Sequence, residues 1–132
     1  MSEDMNGDEV LFRQIHPEWV QDGLPTSQGF RPTPKDGGSL SVDRSTLCTA
    51  HDSYALHAEV KQLATAGTWG LSVEEFAEVL VECRPDPIEA TLTEPANAAH
   101  AVADFTPLPA NRWKPVSQKL KTVAARRGRQ HP

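Results

Sequence analysis

Apolar residues recur along this chain at two spacings, and the switches between them mark its elements. Val10 to Ile15 is rich in β-forming residues and is stopped by His16-Pro17, so a first strand is predicted there. Pro17-Glu18-Trp19-Val20 carries proline where a first helical turn tolerates it, and Gly23 closes that turn. Residues 24–38 show no period and contain Pro25, Pro32, Pro34, Gly29, Gly37 and Gly38. Phe30 in their middle predicts an ordered loop held by an aromatic anchor rather than a tether. Ser39 to Asp43 alternates polar and apolar, the mark of a half-buried strand.

Thr49-x-x-Asp52 is a capping box, opening a helix whose Leu56, Val60 and Leu63 share the inward face. Tyr54 and Ala58 fall on its flank, and Gly67 is placed to end it. Thr68 to Val73 reads as a third strand. Ser72-x-x-Glu75 is a second capping box, with Phe76, Val79 and Leu80 as the buried stripe of a helix that Arg84-Pro85-Asp86-Pro87 ends. Residues 88–99 are polar and weakly patterned, and Ala101 to Phe105 is a short strand. Trp113, Val116, Leu120 and Val123 form one stripe of a last helix, with Pro115 in its first turn and Gly128 at its end.

The order β–loop–β–α–β–α–β–α predicts an α+β fold: a small mixed sheet of about four strands covered by three helices. One domain is expected over residues 10–127. A flexible acidic N-terminus (1–9) and a flexible polar C-terminus (128–132) flank it.

Composition changes this picture little. A length of 132 residues with 38% apolar content can bury a core without disulfides or a structural metal. No apolar run approaches the roughly 20 residues that cross a bilayer, and the start has no basic, apolar leader. Cytoplasmic residence without a membrane is expected. Cys48 and Cys83 fit that reducing setting as small, part-buried hydrophobes.

Charge is more informative. Residues 74–104 hold eight acids against Arg84 alone, and residues 111–131 hold seven bases and no acid. Such a split marks a solvated or docking face. The net charge of −5 argues against general nucleic-acid binding, because phosphate repulsion acts over the whole surface.

The densest polar constellation runs from Arg13 to Asp43. Arg13, Arg31 and Lys35 are candidates to hold an anion, with Thr26, Ser27 and Thr33 adding donors. His16 is the group there that titrates near neutrality, and so the candidate acid or base. Its competing roles are structural: His16-Pro17 as a strand terminator, and the cations paired with Asp22, Asp36 or Asp43. Cys48-x-x-His51 has ligand-like spacing, with His57, Cys83 and His100 further off. Zinc wants two close pairs and only one is present, so no metal and no cofactor is expected. Gly-x-Ser-x-Gly and Gly-rich phosphate loops are absent from the sequence.

His16-Pro17-Glu18-Trp19-Val20-Gln21-Asp22-Gly23, then Ser27-Gln28-Gly29-Phe30-Arg31-Pro32-Thr33-Pro34-Lys35-Asp36, then Leu40-Ser41-Val42, resembles small bacterial α+β proteins of no assigned function. The likeness extends to His100–Phe105 and the last helix, about two-thirds of the chain. It implies a compact bacterial domain and carries no activity over. A looser likeness is to ADP-ribosyltransferase-type folds, which place a basic residue or histidine on a first strand and a serine on a second. Arg13 or His16, and Ser39 or Ser41, stand at those places. Such folds use a late glutamate on a strand, whereas the later acids here fall mostly on a helix or in a loop.

Two functional expectations follow. The first is an interaction module, an adaptor, accessory or immunity-type protein whose partner is another protein. The second is a small enzyme or binder of a nucleotide or other anionic ligand. Convergence of Arg13, His16, Arg31 and Lys35 on one hollow favours the second.

Overall fold

The computed structural model describes residues 5–131. Along the chain run β1 (Val10–Ile15), β2 (Val20–Gln21), β3 (Leu24–Pro25), β4 (Ser39–Arg44), α1 (Ala50–Ala55), β5 (Gly67–Ser72), α2 (Val73–Ala77), β6 (Glu82–Pro85), β7 (His100–Asp104) and α3 (Ala110–Arg127). Five strands form one sheet in the order β5-β1-β4-β7-β6, and β2 and β3 form a small hairpin. The fold is α+β, as the element pattern predicts.

The sheet departs from expectation in two ways. It has five strands rather than about four, and every pairing is antiparallel. β4 and β5 flank β1 on either side, each antiparallel to it. The helix between them therefore crosses over β1 without creating a parallel pair. The extra strand is β6, where the sequence predicts only a helix end. Proline is tolerated there because β6 is an edge strand, whose outer side needs no donor.

Alternation sorts the strand residues into two faces. Leu11, Ile15, Leu40, Val42, Trp69, Leu71, Ala101 and Ala103 share one face and are buried. α3 lays Val116, Leu120 and Ala124 against them, and Phe76 of α2 and Phe105 complete the core. Each of these larger side chains contributes about 1.5–3 kcal/mol by leaving water. Phe30 is fully buried, so the 24–38 segment is pinned as predicted, through short 3-10 turns at 27–30 and 34–36. Gly29 permits that docking, because a Cβ there would lie 2.8 Å from Ile15 Cδ1.

The helices shift several expectations. Both capping boxes form: Thr49 and Asp52 at α1, Ser72 and Glu75 at α2. α1 then widens into a π-turn over Leu56–Val60, and Gln62 takes a left-handed φ of 56°. The extra residue in that turn rotates Val60 and Leu63 out of the predicted stripe, and both are exposed. Gly67 opens β5 rather than ending this helix. α2 is one turn long, so Phe76 is buried while Leu80 is exposed. α3 starts at Ala110, which puts Pro115 in its second turn rather than its first. The Asn111 carbonyl thereby loses its amide donor, but Asn111 is exposed to water.

Both described ends of the chain bond to the sheet or to the loops beside it. Glu9 is buried and takes both oxygens to Arg44, at 3.0 and 3.1 Å, with Thr46 Oγ1 donating at 2.6 Å. Burial alone would raise the Glu9 pKa, but the bonds from Arg44 and Thr46 outweigh it and hold it below the usual range. At the other end, Thr68 N–H donates to the His131 carbonyl and Gln130 N–H to the Thr68 carbonyl. The tail thus covers the β5 edge, with His131 against His51 and Tyr54 at ring-centroid distances of 5.0 Å. The ends expected to be flexible make these bonds at Glu9 and at 130–131, and residues 1–4 and 132 lie outside the described part.

Candidate functional site

The second face of the sheet is polar and only partly covered. Phe12 and Gln14 of β1, Ser41 and Asp43 of β4, Thr68 of β5 and His100 of β7 belong to it by register. α1 and its π-turn cover one side, and the 88–97 segment, closed by an Ile88–Asn97 bridge, stands on the other. Between them lies a cavity of about 440 Å³, within the size range of small-molecule sites.

Its floor is a connected hydrogen-bond chain. Gln14 Nε2 donates to Ser53 Oγ at 2.9 Å and to Thr68 Oγ1 at 2.8 Å, and Gln14 Oε1 accepts from Thr65 at 3.0 Å. Ser53 Oγ donates to Asp43 Oδ2 at 2.7 Å, and Asn97 Nδ2 donates to Asp43 Oδ1 at 2.9 Å. Gln14 therefore has its carbonyl and amide engaged, and the Asp43 carboxylate is fixed from two sides. Held polar side chains facing a cavity are pre-oriented for a ligand.

Arg13 reaches the same cavity through a gap in the sheet. β1 and β4 pair only at Leu11–Arg44 and Phe12–Asp43. Beyond Phe12 the strands part, and the Arg13 guanidinium fills the opening. Its Nε donates to the Gly29 carbonyl at 2.9 Å and Nη1 to the Ser41 carbonyl at 3.1 Å. Burial pulls its pKa down to about 10, opposed by Asp36, which leaves it charged at neutral pH. Among the described residues no carboxylate forms an ion pair with it.

The π-turn delivers the remaining groups. His57, one turn beyond Ser53, and Lys61 both line the cavity. Such turns recur at functional sites because they aim side chains off the regular helical phase. Burial first, then the charges of Lys61 and Arg13, push the His57 pKa down against the pull of Asp43. His57 is thus neutral at pH 7. His100 Nδ1 lies 2.8 Å from the Asp86 carbonyl oxygen on the cavity's far side.

Of Arg13, His16, Ser27, Arg31 and Lys35, Arg13 lines this cavity and the others do not, while Ser41, Asp43, His57 and His100, which the sequence raises in other roles, line it too. His16 caps the 17–19 turn, its Nδ1 accepting from Glu18 N–H at 3.0 Å. Ser27 opens the 27–30 turn, Arg31 is half-buried just after it, and Lys35 is exposed on the 34–36 turn. The four groups Arg13, His16, Arg31 and Lys35 therefore do not share it. Gln14, Ser53, Lys61 and Asn97 are the residues that sequence reasoning missed, and His57 entered it only as a metal-ligand candidate. The signal for Gln14 and Asp43 was alternation, which puts them on a strand face that the apolar residues leave behind.

Comparison with protein-family models, curated proteins and solved structures gave no match. No group of three or more His, Cys, Asp or Glu is placed to hold a metal among the described residues. Burial, then Asp43 and Asp52, pushes the Cys48 thiol up to about 12. Burial, then Glu82, does the same to Cys83. Neither thiol is poised as a nucleophile. No described helix is long and apolar enough to cross a membrane.

Proposed function

We propose that the protein binds a small anionic ligand, a nucleotide or another phosphorylated molecule, in the cavity on the polar face of the sheet. One observation carries this reading: the half-buried Arg13 guanidinium lines the cavity with two carbonyls as its hydrogen-bond acceptors, no carboxylate in contact, and Asp36 as a more distant counter-charge. A half-buried cation with no anion in contact leaves charge unanswered, and a phosphate or carboxylate would offset it. Lys61 adds a second cation on the wall, and the Asp43–Asn97 pair offers acceptors and donors for ligand hydroxyls. His57 replaces His16 as the group able to exchange a proton there. The ADP-ribosyltransferase likeness gains little, since no strand glutamate lines the cavity.

Calorimetry and thermal melting with phosphate, pyrophosphate, AMP, ADP and NAD test it. A ligand at 100 times its Kd stabilises by about 2.7 kcal/mol. Lys61→Ala should weaken binding of the responding compound while leaving the unliganded melting temperature unchanged. Silence from the whole panel at millimolar concentration would remove the proposal.

The interaction-module reading rests on different ground. Part of the charge split is spent inside the fold, where Arg127 of α3 pairs with Glu75 of α2 at 2.7 Å. What favours a protein partner instead is exposed leucine, above all Leu80 and Leu92.

A further inference from the structure

We propose that Leu80 anchors a symmetric dimer, seated in the groove between α2 and α3 of a second copy of this chain. This is independent of any ligand in the cavity. Leu80 carries two costs at once. It has a left-handed φ of 66°, a conformation natural for glycine or asparagine after a helix and strained for leucine. It is also 75% exposed. The other two non-glycine residues with positive φ, Asp22 and Gln62, are polar. In the isolated fold Leu80 only edges a shallow hollow beside Ala77 and Cys83, and a leucine gains no favourable backbone at this turn. A side chain held out at such cost is explained by a contact outside the monomer.

The receiving surface lies on the same molecule. A groove of about 570 Å³ runs between α2 and α3, with Val79, Pro115 and Val123 supplying apolar walls. Glu78 lines it from α2 and Lys119 from α3, and neither takes part in the described ion pairs. A two-fold axis sets the same patch against itself, so the acidic rim of one copy meets the basic rim of the other. Protruding apolar residue, apolar groove and opposed charges then all find their complements in one operation. A foreign partner would need to supply each of them separately.

Sedimentation velocity of the full chain from micromolar to near-millimolar concentration reads the association. The expected result is a reversible monomer–dimer equilibrium. Leu80→Gly should leave a monomer throughout, with a melting temperature equal to or above that of dilute wild type, because strain is relieved. Glu78→Lys and Lys119→Glu should each weaken the homodimer by roughly tenfold, since two attractive pairs become repulsive. An equimolar mixture of these two variants should recover wild-type association, which no effect confined to one chain can produce. A wild type that stays monomeric overturns the proposal. So does a Leu80→Gly protein that still dimerises or melts several degrees lower, or a mixture that fails to recover.

Discussion

On one face of the sheet Leu11, Ile15, Trp69 and Leu71 pack in one core with α3 and leave almost no exposed surface. On the other, Gln14, Asp43, Ser53 and Thr68 bond one another at the base of a cavity. The same strands build both. The first face is held by burial, which needs size and shape but no fixed partner. The second is held by directional bonds, each worth little net and costly to leave unmade. Antiparallel sheets commonly leave one face to water, and this one differs in that its polar side chains bond one another around a cavity.

Removing the centre of the first face should have the largest effect. Trp69 is 1% exposed, flanks Arg13 in register, and has Arg129 5.4 Å above its ring. Trp69→Ala should lower the unfolding free energy by about 3–5 kcal/mol in urea denaturation, through lost burial and the void left behind. Near-complete retention of stability would mean that the two faces share the work of folding more evenly than their burial indicates.

Much of the first face was legible in the sequence, and the reasons are local. β1, β4, β7 and the stripe of α3 announce themselves by period, because both neighbours in space of each apolar residue repeat it along the chain. β6 did not, since Glu82-Cys83-Arg84-Pro85 alternates charge with half-burial and ends in proline. The π-turn and the left-handed Leu80 also escaped, because each breaks the helical phase on which the reading depends. The second face was nearly invisible. Gln14 finds its partners 39, 51 and 54 residues away, at Ser53, Thr65 and Thr68. No local pattern encodes a bond of that range. Arg13 was legible as a strand cation able to hold an anion, but its route through the parted strands depends on where β4 stops pairing.

A cut through the polar chain should cost less than the loss of Trp69. Ser53 is 2% exposed and stands between Gln14 and Asp43, accepting from one and donating to the other. Ser53→Ala deprives both neighbours of a partner at once. The expected loss is about 1–2 kcal/mol of stability by urea denaturation. Anion affinity should fall with it, because Asp43 is then held by Asn97 alone. If stability falls while affinity does not, the chain belongs to the fold and not to the site.

The smallest effect on stability, and the sharpest on the contrast between faces, should come from His57. Burial and the nearby Lys61 and Arg13 hold its folded pKa below the ordinary histidine value. The unfolded chain therefore takes up a proton at higher pH than the folded chain does, so stability falls as pH drops below about 6.5. Above that pH both states are neutral at this residue and it contributes nothing to the slope. His57→Gln should leave stability at pH 8 almost unchanged and flatten the decline between pH 6.5 and 5. An anion bound beside Arg13 and Lys61 reverses the sign at this one residue. It favours the imidazolium, so wild-type affinity for a phosphorylated ligand should improve as pH falls from 7.5 to 6, and His57→Gln should abolish that improvement. Among the described residues the buried apolar cluster holds no histidine that could mimic this pair of opposite slopes. Parallel pH profiles for wild type and His57→Gln, in both stability and binding, would show that His57 does not sense the cavity and would take the proton-exchanging group out of the proposed site.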